Sequence, residues 1–381
     1  MSTSDSPVSG LDWRLGGTAG IRPGPTNSLT DVTGIRVGHA SRQGRGWLTG
    51  VTVVAAPQGA RAAVDVRGGG AATRETAALD PTGVVEHIHA VVLSGGSAYG
   101  LESAVGVLAE LQDHGLGFRV GADPRHVVPI APGAAIFDLG RGGDFDLRPD
   151  GELGRQAARA ALDGGPVTEQ GSIGAGTGAI TGEMRGGVGT ASTILPGGVT
   201  VAALVVVNAD GTTVDPRTGR PWGAFSELPL PGGEGEFGIR PPSPAEHAAA
   251  VRELTLAAGR RPALRPLNTT LAVVATDADL SRAELARMAS TSHDGMARAV
   301  RPVHTLGDGD VVFALSVGGA GLPPSAPGLL DDHRHSDSVN QLLTAGADTL
   351  TRAIVHGILA ATTVSTPAGR VPSYRELYGQ G

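Results

Sequence analysis

Apolar residues in this chain gather into short, β-branched runs separated by glycine and proline, and into longer stretches where they recur every third or fourth position. The first pattern predicts strands at Val32–Val37, Val51–Ala55, Ala62–Val66, Ala90–Leu93, Val127–Ile130, Val199–Val207, Leu271–Thr276 and Val311–Val317. The second predicts helices at Tyr99–His114, Leu153–Leu162, Ala245–Ala258, Ser281–Val300 and Ser338–Ala361. Ser281, followed three residues later by Glu284, gives the fourth helix a capping box. Several strands have the unbroken apolar character of sheet centres, and strands and helices show little strict alternation. That combination predicts an α/β class protein with sheets stacked and covered by helices.

One stretch departs from both patterns. From Asp210 to Leu267 the chain is rich in glycine, proline and charge, interrupted by a single predicted helix, and reads as an exposed, flexible connection. Where it meets the next apolar run stand Asn268 and Thr269. A threonine hydroxyl is a weak nucleophile without a base beside it, and cutting the chain before Thr269 would supply one as a free α-amine. A cut there disturbs few core contacts if the upstream side is loosely held.

Composition removes several alternatives. With 381 residues, 40% of them hydrophobic, the chain can bury one large core or two modest ones. A net charge of -7 and only 3% aromatic residues argue against nucleic acid and against anionic lipid. There is no cysteine, which excludes disulfides and thiolate chemistry, and no lysine, which excludes Schiff bases; all 30 basic residues are arginine. The first residues lack a basic start and an apolar core, and no 18-residue apolar run follows, so the expected setting is cytoplasmic, away from membranes.

An N-terminal threonine also needs a donor for the oxyanion and groups to hold its amine and hydroxyl. Asn208 ends the apolar run VTVAALVVVN and is a candidate donor; taken alone, it also suits the turn NADG. Asp308 and Asp310 lie two apart in GDGDVVFAL, so in extended chain both carboxylates face one way and are candidates to hold Thr269; taken alone, they also suit a turn before a strand.

Four longer stretches now carry a resemblance: TNSLTDVTGIRVGH (Thr26–His39), VVLSGGSAYGLESAVG (Val91–Gly106), GSIGAGTGAITGEMRGGVGTAS (Gly171–Ser192) and NTTLAVVATDADL (Asn268–Leu280). In this order they resemble the L-aminopeptidase/D-amino-acid esterase family, which includes β-peptidyl aminopeptidases and nylon-oligomer hydrolases. The match runs from about Gly16 to about Ala361. The resemblance implies one hydrolase domain with a four-layer αββα fold that cuts itself into residues 1–268 and 269–381. It implies that the fragments stay together as a homo-oligomer of pairs and release N-terminal residues from small peptides, amides or esters without metal or cofactor. Carried over by position, Thr269 is the nucleophile, with Thr270 the competing register. Asp308 and Asp310 hold its hydroxyl and amine, and Asn208 supports the oxyanion. Arg185, in GEMRGGVG, stands where nylon-hydrolase-like members have lysine; arginine keeps the charge but cannot give up its proton. IAPGAAIFDLG (Ile130–Gly140) lacks the acidic and tyrosine residues of the β-peptidyl members, so the pocket differs there.

Three further signals stand beside this one. Gly174, Gly176 and Ala179 spell GxGxxA, but a predicted helix rather than a strand precedes them. Ser97 lies between a strand and a helix like a nucleophile elbow, though not in GxSxG, and the nearby Tyr99 either faces the substrate or packs. Asp331–Asp337, DDHRHSD, has metal-friendly side chains in what reads as a solvated loop. Two rival readings stay open: an unprocessed small-ligand-binding or structural homologue without catalysis, and a serine hydrolase using Ser97.

Overall fold

A computed structural model describes residues 20–165, 167–258, 268–326 and 328–379. Its centre is a nine-stranded sheet. The strands are β1 (Arg36–Gly44), β2 (Trp47–Val66), β3 (Ala72–Arg74), β4 (Ile88–Ser94), β5 (Gly133–Ala135), β6 (Gly187–Ile194), β7 (Thr200–Val207), β8 (Leu271–Ala278) and β9 (Val311–Ala320). Their order is β6-β7-β8-β9-β2-β4-β5-β3, with β1 beside β2. The long strand β2 joins the two halves. Its first part pairs with β1 and β4, its last six residues, Arg61–Val66, pair with β9, and the register shifts between Ala55 and Ala60. Pro57 and Gly59, with φ +84°, lie in that break, where a missing N–H and a left-handed residue let the strand bend. The two runs expected as separate strands are therefore one folded-over strand.

The bend stacks the halves face to face. Val54, Val91 and Leu93 of one half meet Leu204, Val206, Val273, Val311 and Phe313 of the other in a buried inner core. The outer faces are covered by helices: α1 (Ser103–Asp113) and α2 (Gly151–Asp163) on one side, α4 (Arg282–Ala299) and α5 (Asp331–Ala360) on the other. This is the αββα sandwich, and it explains the unbroken apolar runs. In β7, Val201, Ala203, Val205 and Val207 pack toward the helices while Ala202, Leu204 and Val206 pack toward the second sheet.

Some elements differ from the pattern. β6 escaped notice because its sequence, GVGTASTI, is small and polar; a β-carbon on Gly189 would lie 2.0 Å from the Ala353 carbonyl of α5, so glycine there permits close helix–sheet contact. Val32–Val37 is a strand only from Arg36, and Val127–Ile130 only at Val127–Val128. DDHRHSD is not a loop: it forms the exposed start of α5. The Asp210–Leu267 stretch is held over part of its length, with Val214, Leu228 and Phe237 in the core and Glu236 paired to Arg352 at 2.5 Å. Its predicted helix is α3 (Pro244–Ala258), and its residues 259–267 lie outside the described residues.

Candidate active site

Strand register assembles the site. β8 runs parallel to β9 with Leu271 opposite Val311, and a bridge between Asn268 and Asp308 extends the pairing upstream. Thr269 therefore lies beside Gly309, and Thr270 beside Asp310. On its other side β8 is antiparallel to β7, with Leu271 opposite Val206, which brings Asn208 across from Thr269. The Thr269 N–H donates to the Asn208 carbonyl at 2.8 Å. Its hydroxyl donates to the carbonyl oxygen of the preceding residue, Asn268, at 2.5 Å. Thr269 is only 3% exposed. Thr270 is committed to the sheet, its N–H on Asp310 and its carbonyl accepting from Val311, both at 3.0 Å. Of the two hydroxyl registers, only that of Thr269 rests on the peptide before it.

The carboxylates sit directly behind. Asp310 accepts the Thr270 N–H through Oδ1, and through Oδ2 both the backbone N–H of His304 at 3.0 Å and its ring Nδ1 at 2.7 Å. Asp308 accepts the Asp210 N–H at 3.3 Å through Oδ2, while Oδ1 is buried with no hydrogen-bond partner among the described residues. Burial first, then the charges of Asp310 and Asp210, push the Asp308 carboxyl up to about 8. Here the two acids bond to Asp210, Thr270 and His304, whereas the sequence expectation concerns the free amine and hydroxyl of a cut Thr269.

Asn208 is buried and fixed by its neighbours. Its Oδ1 accepts from Ile180 N–H at 3.1 Å and from Arg141, and its Nδ2 donates to the Phe137 carbonyl at 3.4 Å. The same Arg141 donates to the Gly178 carbonyl at 2.8 Å and, through Nη2, to the side-chain oxygen of Asn268 at 3.1 Å. Neither Arg141 nor His304 was singled out from the sequence. Each is an isolated polar residue in a loop, brought to the site only by long-range pairing.

Arg185 and Tyr99 stand apart from this cluster. The buried Arg185 guanidinium donates to the Thr362 carbonyl at 3.2 Å and the Thr177 carbonyl at 2.7 Å. Burial lowers it to about 10, against the opposing charge of Asp138. Its link to the site is indirect, because Thr177 precedes the Gly178 that anchors Arg141. Tyr99 is 54% exposed, with Arg148 stacked 3.9 Å from its ring centre, so it neither packs in the core nor bonds to Thr269. Ser97 has a left-handed φ of +54° and gives its N–H to the Ile136 carbonyl, and among the described residues no histidine base is paired with it. Gly174–Gly176 form a 3-10 turn, not the opening of a long helix that a dinucleotide fingerprint requires. Among the described residues no group of three or more His, Asp or Glu side chains is placed to hold a metal, and no helix is long and apolar enough to cross a membrane.

A buried threonine thus stands at the head of a central strand, resting on its own upstream peptide inside an αββα sandwich. Residues 27–372 match peptidase family S58, and the chain belongs to that family, as a hydrolase of the peptidase type. An uncharacterized aminopeptidase of Mycobacterium tuberculosis is 46% identical over 360 residues, covering 92% of this chain and 98% of its own. A 6-aminohexanoate-oligomer endohydrolase of a Kocuria species is 32% identical over 304 residues, 78% of this chain and 77% of that protein. Among solved structures, the L-aminopeptidase D-Ala-esterase/amidase of Ochrobactrum anthropi, described as a variant of the Ntn hydrolase fold, superposes with a TM-score of 0.63 at 21% identity, covering 94% of this chain and 96% of its own. The family resemblance and the fold expected from the sequence both hold.

Proposed function

We propose that the chain cuts itself between Asn268 and Thr269, and that Thr269 then serves as the N-terminal nucleophile of an aminopeptidase-type amidase acting on small peptides, amides or esters. One observation carries the reading: the Thr269 hydroxyl lies 2.5 Å from the oxygen of its own upstream peptide while its nitrogen is held on Asn208. In the cut, Oγ1 attacks the Asn268 carbonyl carbon. The bond to the Thr269 nitrogen breaks, the nitrogen takes the proton lost by the hydroxyl, and an ester remains. Water hydrolyses that ester, leaving a carboxylate on Asn268 and a free amine and hydroxyl on Thr269. In turnover the amine takes the hydroxyl proton, passes it to the leaving amine of the substrate, and water releases the acyl group.

The other residues take supporting parts in the same reading. The Asn208 carbonyl holds the Thr269 nitrogen before and after the cut, and its carboxamide serves the oxyanion. Asp308 and Asp310 hold the new ammonium and hydroxyl, and Arg185 supports the site electrostatically from behind Gly178. The names of the relatives, an aminopeptidase and an endohydrolase of amide oligomers, support a substrate of this class. A cytoplasmic homo-oligomer of paired fragments belongs to the same proposal. Mass analysis under denaturing conditions tests it: the expected result is two pieces meeting at Asn268/Thr269 in place of the 38.2 kDa chain. A Thr269→Ala variant is expected to stay whole and inactive. Hydrolysis by that variant, or a wild-type chain that is whole and inert, overturns the reading; the latter favours a ligand-binding homologue.

A further inference from the structure

The side chain of Asn268 does not hang free beside the proposed cut. Its carboxamide oxygen accepts from Arg141 Nη2 at 3.1 Å. The guanidinium is fixed independently of that contact: Nη1 donates to the Gly178 carbonyl at 2.8 Å and to the Asn208 side chain. The Arg141 main chain is tied as well, its carbonyl accepting from Thr366 at 2.8 Å. Gly178, Asn208 and Thr366 are not part of the end that the cut releases, so Nη2 stays aimed at the place where the Asn268 carboxamide was.

Resting on the self-cleaving reading above, we propose that Arg141 selects the acyl residue of the substrate: the mature enzyme prefers an N-terminal L-residue with a side-chain carbonyl acceptor, asparagine being the reference case. The argument is one of shared chemistry. During the cut, the residue esterified to Thr269 Oγ1 is Asn268; during turnover it is the first residue of the substrate. The two esters have the same atoms at the nucleophile, so the acyl side chain enters the same surroundings. A planar guanidinium already held in place loses little freedom in binding the acyl side chain, and an acyl residue without an acceptor forgoes the hydrogen bond that Asn268 makes.

The test uses the cut wild-type enzyme with L-asparagine p-nitroanilide and L-leucine p-nitroanilide, whose side chains share a branched shape but not the acceptor. The expected kcat/KM ratio is about tenfold or more in favour of asparagine. Arg141→Gln, or Arg141→Lys if the first variant is not cut, is expected to bring the ratio toward one whatever happens to the overall rate; a general loss of positioning at Asn208 would slow both substrates alike. A cut, active wild-type enzyme with equal kcat/KM for the two, or an Arg141 variant that keeps the preference, overturns this inference and leaves the self-cleaving reading standing. A wild-type chain that is never cut, or that hydrolyses neither compound, defeats the earlier reading instead and this one with it.

Discussion

Gly309 lies against the hydroxyl of Thr269: a β-carbon on Gly309 would stand 2.6 Å from Thr269 Oγ1. The parallel register of β8 and β9 makes the two neighbours, and the same β-carbon would meet the Gly70 carbonyl at 2.9 Å and the Ala71 Cα at 3.0 Å. A methyl group fits only if the hydroxyl turns away from the Asn268 carbonyl, a rotation about one side-chain bond, and the Gly70–Ala71 backbone also gives way slightly.

Gly309→Ala is therefore expected to slow the proposed cut about a hundredfold or more, beyond what the backbone adjustment costs in stability, because a misplaced nucleophile forfeits much of the advantage of proximity. The fraction of chain cut with time, read on denaturing gels beside a thermal melt, checks it. Cutting at the wild-type rate would show that the hydroxyl does not need the position it holds here.

His304 clamps Asp310 twice, through its backbone N–H and through ring Nδ1 at 2.7 Å. It does so from a left-handed φ of +55°, which asparagine tolerates better than most residues, and an asparagine Nδ2 can take the place of Nδ1. His304→Asn is expected to keep most of the cutting rate, whereas His304→Ala, with one donor lost and a backbone it adopts poorly, is expected to lose about tenfold to a hundredfold. Equal rates in the two variants would remove the side chain from any role in holding Asp310.

For Asp308, folding favours the protonated form, with a folded-state value near 8 against an ordinary 3.8. The sign follows from linkage: its contribution to stability is whole below about 3.8 and is lost as pH rises toward 8. In a Thr269→Ala chain, which the proposed reaction leaves whole, adding Asp308→Asn removes the ionisable group. The double variant is expected to gain on the single one as pH rises through that window, by about 2 to 5 kcal/mol at the upper end. Denaturant unfolding at pH 4, 6 and 8 measures the gap, and a gap that does not change with pH contradicts it.

The sequence disclosed a good deal of this through two independent routes. Runs such as VTVAALVVV are apolar on both faces, which only a strand between two layers satisfies, and so the sandwich and its central strands were legible from periodicity. The cluster of Thr269, Asn208, Asp308 and Asp310 was legible because each sits at the end of such a strand, where register brings them together. Strand β6 was hidden by glycines whose purpose is contact with α5, a reason that exists only in three dimensions. Arg141 and His304 were hidden because nothing local marks them; their partners lie across the sheet or around a loop. Tyr99 and Arg185 lie in motifs that resemble the family, but position in a motif says nothing about where a side chain points, and these two bond elsewhere.

The proposed cut would leave two chains, and a buried cluster spans them. Glu236, upstream of the cut, pairs with Arg352, downstream of it, and both side chains are only 1% exposed. Arg352 also donates to the Ser192 carbonyl, to Thr193 and to Asn27, while His356 reaches Glu236 at 3.0 Å. Burial alone would raise the Glu236 carboxyl, but hydrogen bonds from His356 and Arg352 and the charge of Arg352 outweigh it and hold the group down to about 2. With the folded value below the ordinary 4.5, the stabilisation is present above about 4.5 and lost as pH falls toward 2. The cut fragments are thus expected to co-elute at neutral pH and to separate in that acid window. Glu236→Gln, which mimics the protonated acid at every pH and leaves Arg352 charged and buried without its carboxylate, is expected to cost about 3 to 5 kcal/mol at neutral pH and to flatten the pH dependence across that window. Size-exclusion runs across the pH series, beside thermal melts, measure both effects, and a variant with the wild-type melting point and acid profile would show that the fragments are joined by their apolar core alone.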